Sequence, residues 1–171
     1  MNVFVLDLDP RTAATMHVDK HVVKMPLESA QMLSTALRTI GIDDARLYRA
    51  THRCHPCTLW AGATRSNFTW LIDLGLALCD EHRHRYPASR PHKSRAVIEA
   101  AREYVDALPG GDLTPHAQAM PDACKVPGDA VAAYRRYYVA EKMRFASYRG
   151  REWPAWMHAK KHIAQRALSM V

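Results

Sequence analysis

No apolar run in this chain approaches the roughly 18 residues that a membrane span needs, and the sequence predicts a protein with no membrane partner. The N-terminus lacks the basic-then-apolar layout of a secretory signal, because Asp7 and Asp9 follow directly on Met1–Leu6. A cytoplasmic location is the expectation. Cysteine is scarce: Cys54, Cys57, Cys79 and Cys124 are too few in 171 residues for a disulfide scaffold. There are no internal repeats and no low-complexity tracts. Acidic residues are nearly missing from one region, with only Glu141 and Glu152 after residue 130.

What is present is enough apolar material, 48% of residues, to bury one core. The formal charge of +7 is segregated. Nine Lys and Arg fall in 131–171, so that segment carries the whole excess and residues 1–130 are neutral. A polyanion partner, DNA or RNA, accounts for such segregation, since each phosphate contact releases counterions. The expected organisation is a single helical domain over 1–171 with a basic, aromatic C-terminal segment over 131–171.

The coarse pattern is mainly α. Val3–Leu8 reads as one short strand or extended segment ending at Asp9-Pro10. Five or six helices follow: Thr12–Ile40 with a kink at Pro26, a short one from Asp43 or Asp44 to Arg49, and Leu59–Arg85. His92–Leu108, Ala130–Tyr148 behind an Asp129 cap, and Pro154–Leu168 complete them. Residues 112–128, with Pro115, Pro121 and Pro127, read as an ordered loop.

Three clusters could carry chemistry. On a helix turning ~100° per residue, His17, His21, Lys24, Glu28 and Gln31 fall on one narrow stripe of an otherwise apolar helix, which suits a cleft. A carboxylate among cations fits general acid–base work or stabilisation of a cationic sugar. The loop Thr51–Cys57 offers Arg53 as a phosphate clamp and His55 as a second acid–base group. Cys54 and Cys57 with His158 and His162 are a weak match to a zinc site. The C-terminal segment interleaves Arg135, Arg136, Lys142, Arg144, Arg149 and Arg151 with rings. Tyr134, Tyr138 and Phe145 have inward spacing, whereas Tyr148 and Trp153 stand in a helix-breaking stretch and are the expected ligand-facing rings.

Glu28 in the context Leu27–Gln31, the His55-Pro56 loop after Tyr48, the basic aromatic turn His82–Tyr86 and the late basic tail occur in an order that resembles the pyrimidine-dimer DNA glycosylases of the phage endonuclease V type. The run Asp19–Met25, D-K-H-V-V-K-M, is similar to a motif of a set of phage-encoded proteins. The glycosylase resemblance implies a mostly α fold and cleavage of a base–sugar bond in modified or damaged pyrimidines. It also implies a Schiff base at C1′ formed by the α-amino group of Met1, with Glu28 steadying the sugar cation. Asn2 is too bulky for efficient methionine removal, so Met1 is expected to stay; its amine, Lys20 and Lys24 are the candidate nucleophiles, and a reaction without a covalent step is the alternative. The arginines that flank the family's glutamate are absent, and His21 and Lys24 are their candidate substitutes. No cofactor and no metal are expected on this reading. Two other classes stand beside it: a metal-dependent hydrolase or base-modifying enzyme using His17, His21, Glu28 and His55, and a non-catalytic nucleic-acid binder.

Overall fold

The computed structural model describes residues 1–158. Residues 1–5 carry no regular structure and 6–9 form a bend, with Leu6 N–H on the Phe4 carbonyl at 3.0 Å, and no strand occurs among the described residues. Val3, Phe4, Val5 and Leu6 are buried, so their backbone cannot turn to water. Side chains bond it instead: Arg135 Nε donates to the Leu6 carbonyl at 2.9 Å and Trp70 Nε1 to that of Leu8 at 2.8 Å.

Helix α1 (Pro10–Thr15) starts under an Asp9 cap, whose carboxylate accepts from Thr12 N–H, with Pro10 at the first helical position. Met16–Val18 then break the chain, so the expected helix from Thr12 is two helices meeting at a turn. The second, α2 (Asp19–Thr39), continues through Pro26 and loses there the bond that an N–H would have made to Val22. The expected short helix at 43–49 is a turn, with Arg38 bonding the Asp44, Leu47 and Tyr48 carbonyls.

The expected long helix also divides. Helix α3 (Pro56–Ala63) ends at Thr64, which is extended (φ −141°) and whose hydroxyl caps α4 (Arg65–Arg85) by accepting from Asn67 N–H. Helix α5 (Ser94–Arg102) is followed by a 3-10 turn at Val105–Ala107. The proline-rich stretch is the expected ordered loop, pinned by buried Asn67, whose side chain bonds both Thr114 N–H and Thr114 Oγ1. Helix α6 (Ala130–Tyr137), capped by Asp129, passes into a π turn at Tyr138–Lys142 and a 3-10 turn at Met143–Phe145. Regular helix therefore stops well before the expected end at Tyr148. Residues beyond 158, including most of the expected last helix, lie outside the described part.

Helix α2 packs against α3, α4 and α5, and α1 lies on α4. Gly75 allows the closest approach: a Cβ there would come within 2.8 Å of Ile98 Cδ1 and 3.2 Å of Ser29 Cβ. One continuous apolar core joins all these helices, the N-terminal segment and Tyr134, Tyr138 and Tyr148. The architecture is mainly α.

A buried ion network ties residues 15–19 and Arg151 to α4. The Arg85 side chain is fully buried and donates to the Thr15 and His17 carbonyls, to Glu81 at 2.6 Å and to Asp19 at 2.8 Å. Arg151 clasps Glu81 from the far side at 2.8 and 3.0 Å. Burial works to raise the Glu81 carboxyl, but the bonds from Arg151 and Arg85 outweigh it and hold it below the usual carboxylate range. Removing one member strands the other charges in the interior. Arg85→Ala is expected to lower stability by about 3–5 kcal/mol in urea denaturation. Arg102→Ala, which breaks an exposed pair with Asp73, is expected to cost less than about 1 kcal/mol.

Candidate functional site

The expected polar stripe does not stay together. His17 lies in the turn before α2, fully buried, with Nδ1 on the Ala13 carbonyl at 2.8 Å. His21 is buried face to face on Phe4, ring centroids 4.4 Å apart, with Nδ1 at 2.6 Å from the Tyr138 hydroxyl. Both imidazoles are core groups, because the break at Met16–Val18 takes His17 out of helical register and Phe4 offers His21 an aromatic partner. Burial lowers His17 to about 4; burial together with the charges of His17, Lys142 and Lys24 lowers His21 to about 3.

One turn on, the same helix opens outward. Lys24 is exposed and its Nζ stands 3.1 Å from Glu28 Oε1. Glu28 is 7% exposed, and its other oxygen accepts the Asn2 backbone N–H at 2.7 Å and lies 3.9 Å from the Met1 α-amino nitrogen. The Met1 side chain is almost wholly buried while the residue as a whole is partly exposed. Its free surface is thus the main-chain end that carries the amine. Thr58 Oγ1 reaches the Met1 sulfur at 3.7 Å.

Asn2 holds this arrangement. Its Nδ2 donates to the Ala119 carbonyl at 2.8 Å, and its Oδ1 receives Val3 N–H at 2.8 Å and lies 2.9 Å from the Tyr134 hydroxyl. In the sequence Asn2 is only an obstacle to methionine removal; an amide in the second position is the sole signal of a clamp. Cys57 lies under Asn2, its Sγ 3.7 Å from Oδ1, and burial raises its thiol.

His55 closes the other flank. It caps α3, with Nδ1 accepting Cys57 N–H at 3.2 Å. Its pKa is lowered, first by partial burial, then by the N-terminal ammonium and His52, against an opposing hydrogen bond with the Met1 backbone. Arg53, beside it, is exposed, and the loop turns at His52 with φ +50°. The structure therefore brings Met1, Lys24, Glu28 and His55 together and leaves His17 and His21 behind them.

The C-terminal residues divide in the same way. Tyr148, expected to face a ligand, is buried: its hydroxyl donates to the Met16 carbonyl at 3.0 Å. Trp153 packs at a tilt on Tyr148. Arg135 serves Leu6 and pairs with Asp7, and Arg151 serves Glu81. They are structural because the unpaired N-terminal segment and the buried acids need donors. Arg136, Arg144 and Arg149 remain exposed. Arg149 lies over the Tyr86 ring, and Lys142 over Tyr137. Lys20 and Arg144 share the Phe145 ring, at 4.9 and 5.3 Å, and Phe145 in turn meets the edge of His21. A cationic strip of Lys20, Lys24, Lys142 and Arg144 thus borders the amine–Glu28 pair.

Neither metal arrangement drawn from the sequence is assembled. Among the described residues no three His, Cys, Asp or Glu side chains converge as a metal ion requires. Cys54 is exposed, Cys57 faces Asn2, His158 bonds the Trp153 carbonyl, and His162 lies outside the described residues. Compared with protein-family models, curated proteins and solved structures, the chain matches none of them.

The buried histidines make stability depend on pH in a known direction. Each ring takes up a proton near pH 6.5 when unfolded, whereas folded His17 does so at about 4 and His21 at about 3. The unfolded state binds more protons in that interval, so stability falls as pH drops from about 6.5 toward 4. The loss at the lower limit is on the order of 3 kcal/mol per ring, because lowering a protonation midpoint by one pH unit costs about 1.4 kcal/mol. Urea midpoints taken at several pH values across this window are expected to fall with acidity, and His17→Leu is expected to flatten the slope.

Proposed function

We propose that this chain is a DNA base-processing enzyme, a glycosylase with associated lyase activity acting on modified or damaged pyrimidines. The observation that carries the reading is the α-amino nitrogen 3.9 Å from a nearly buried carboxylate, with its own side chain locked inward. Amines form Schiff bases only when unprotonated. Holding such an amine on a fixed carboxylate supplies both nucleophile and proton acceptor.

The unprotonated Met1 nitrogen attacks C1′ of the sugar as the bond from C1′ to the base breaks; the base departs with the electron pair and takes up a proton from water, and the nitrogen gives one proton to Glu28. The bond from C1′ to O4′ then breaks, O4′ takes that proton from Glu28, and the nitrogen lone pair forms an iminium at C1′ that keeps one N–H and faces the Glu28 carboxylate. Loss of a C2′ proton then expels the 3′ phosphate. His55 lies beside the amine, and Lys24 pairs with the other carboxylate oxygen at 3.1 Å. The target base must leave the stack to reach them.

The cationic strip supports a polyanion on this face. Replacing Lys20 or Arg144 by Ala is expected to weaken binding of duplex DNA about equally for all sequences. Each change should reduce the slope of log affinity against log salt by about 1, read by fluorescence anisotropy between low and physiological salt.

Borohydride trapping on labelled duplexes with an abasic site, a thymine dimer or no lesion tests the chemistry. A covalent adduct is expected that survives Lys24→Ala, is lost when residues are added ahead of Met1, and falls by about 100-fold or more with Glu28→Gln. Absence of an adduct on all three duplexes, with no base or strand loss, removes the Schiff-base mechanism. Wild-type DNA binding that persists in Glu28→Gln without any turnover in the parent protein would leave a binder.

A further inference from the structure

A second cavity backs onto α2 beside the amine site. It lies between that helix and the connection from α4 to α5, with a volume of about 480 Å³, inside the range of roughly 300–1,000 Å³ typical of small-ligand pockets. Its apolar wall is Val23 and Leu27, one helical turn apart, two of the few large apolar side chains that the described surface leaves exposed (46% and 40%). Tyr48 stands on the wall as well, its hydroxyl 3.2 Å from Ser94 Oγ. The rim is cationic. Arg90 and Lys93 are both exposed, neither has an ion-pair partner among the described residues, and no acidic residue lines the cavity.

The connection that forms this rim is held in place rather than loosely draped. His92 Nε2 bonds the Val23 carbonyl at 3.0 Å and its Nδ1 accepts Ser94 N–H at 3.2 Å. His82, edge-on to His92, keeps a buried Nδ1 with no partner among the described residues. The cavity therefore offers an aliphatic wall with a tyrosine beside it and two cations without ion-pair partners. A planar base with a phosphate attached uses both: apolar contact for the ring and charge for the phosphate. A purely apolar ligand leaves Arg90 and Lys93 without a role, and a bare anion leaves Val23 and Leu27 exposed.

We propose that this cavity binds a nucleotide, and that the nucleotide belongs to a strand running on to the amine–Glu28 pair. Leu27 and Glu28 are consecutive, so the cavity and the amine lie about 100° apart round the same helix, with Lys24 between them. The nucleotide site stands on its own residues; only its membership of the substrate strand rests on the enzyme reading above.

The test titrates the whole protein with thymidine 5′-monophosphate, thymidine, inorganic phosphate and a single-stranded thymidine octamer, followed by calorimetry and by NMR saturation transfer. The parent, Leu27→Asp, and Arg90→Ala/Lys93→Ala are compared, each checked for folding by circular dichroism. The monophosphate is expected to bind at least about tenfold more tightly than thymidine or phosphate, and the double variant to lose about tenfold. Leu27→Asp should abolish the saturation-transfer signal from the base. Tighter binding of the octamer, weakened by the same variants, assigns the strand as source; equal affinity for octamer and monophosphate assigns the free nucleotide. Unchanged binding in both variants, phosphate binding as well as the monophosphate, or no binding of either nucleotide form overturns the proposal. These variants keep Met1 and Glu28, so borohydride trapping on an abasic duplex reports separately on the chemistry.

Discussion

The buried segment Val3–Leu6 runs through the interior of this protein without a strand beside it, and much of the molecule is arranged to satisfy it and its flanks. A buried peptide group left unbonded costs on the order of the full desolvation penalty, roughly 1–3 kcal/mol. Arg135 and Trp70 supply donors to the Leu6 and Leu8 carbonyls, and Asn2, through Tyr134 and Ala119, locks the start of the segment. Arg135 and Tyr134 come from α6 and Trp70 from α4, so the segment also dictates which faces of those helices turn inward. The Glu28 carboxylate is one more of these partners, accepting the Asn2 N–H. The site is thus a by-product of how the N-terminus is anchored, and its rigidity follows from the same bonds.

That origin explains the division of labour on α2. Its N-terminal part faces Phe4 and the tyrosines and is core, despite carrying a histidine. One turn on, a single flank opens, where Lys24 and Glu28 meet Met1 and Asn2 on one side and Val23 and Leu27 line a cavity on the other, before Ser29–Leu37 return to the core. The histidines contribute shape and an uncharged environment rather than protons: their burial holds them neutral well below physiological pH.

The basic C-terminal segment has two physical roles that net charge alone does not separate. Arg135 and Arg151 neutralise buried or half-buried acids and carbonyls, Arg151 sharing Glu81 of α4 with Arg85. Lys142 and Arg144 project beside Lys20 and Lys24 as a cationic edge of the amine site. A guanidinium with five donors suits either task, and only its neighbours select between them.

Periodicity and breaker residues are local properties, so the helical class, the Asp129 cap, the ordered 112–128 loop and the inward faces of Tyr134 and Tyr138 were legible in the sequence. So was the placing of Glu28 beside Lys24 on one stripe of α2. The break at Met16–Val18 was not legible, because it is set by Arg85 drawing the Thr15 and His17 carbonyls, a contact across some seventy residues. Nor was the fate of His21, Tyr148 and Arg151, since an amphipathic pattern places a side chain on a face without naming what covers it. Met1 entered only through a family resemblance; its 3.9 Å approach to Glu28 depends on Asn2, Tyr134 and Ala119 meeting from three distant segments. Local sequence determined which groups were available for chemistry. Long-range hydrogen bonding, which satisfies most of the buried polar atoms, decided which of those groups went into the core and which stayed at the surface.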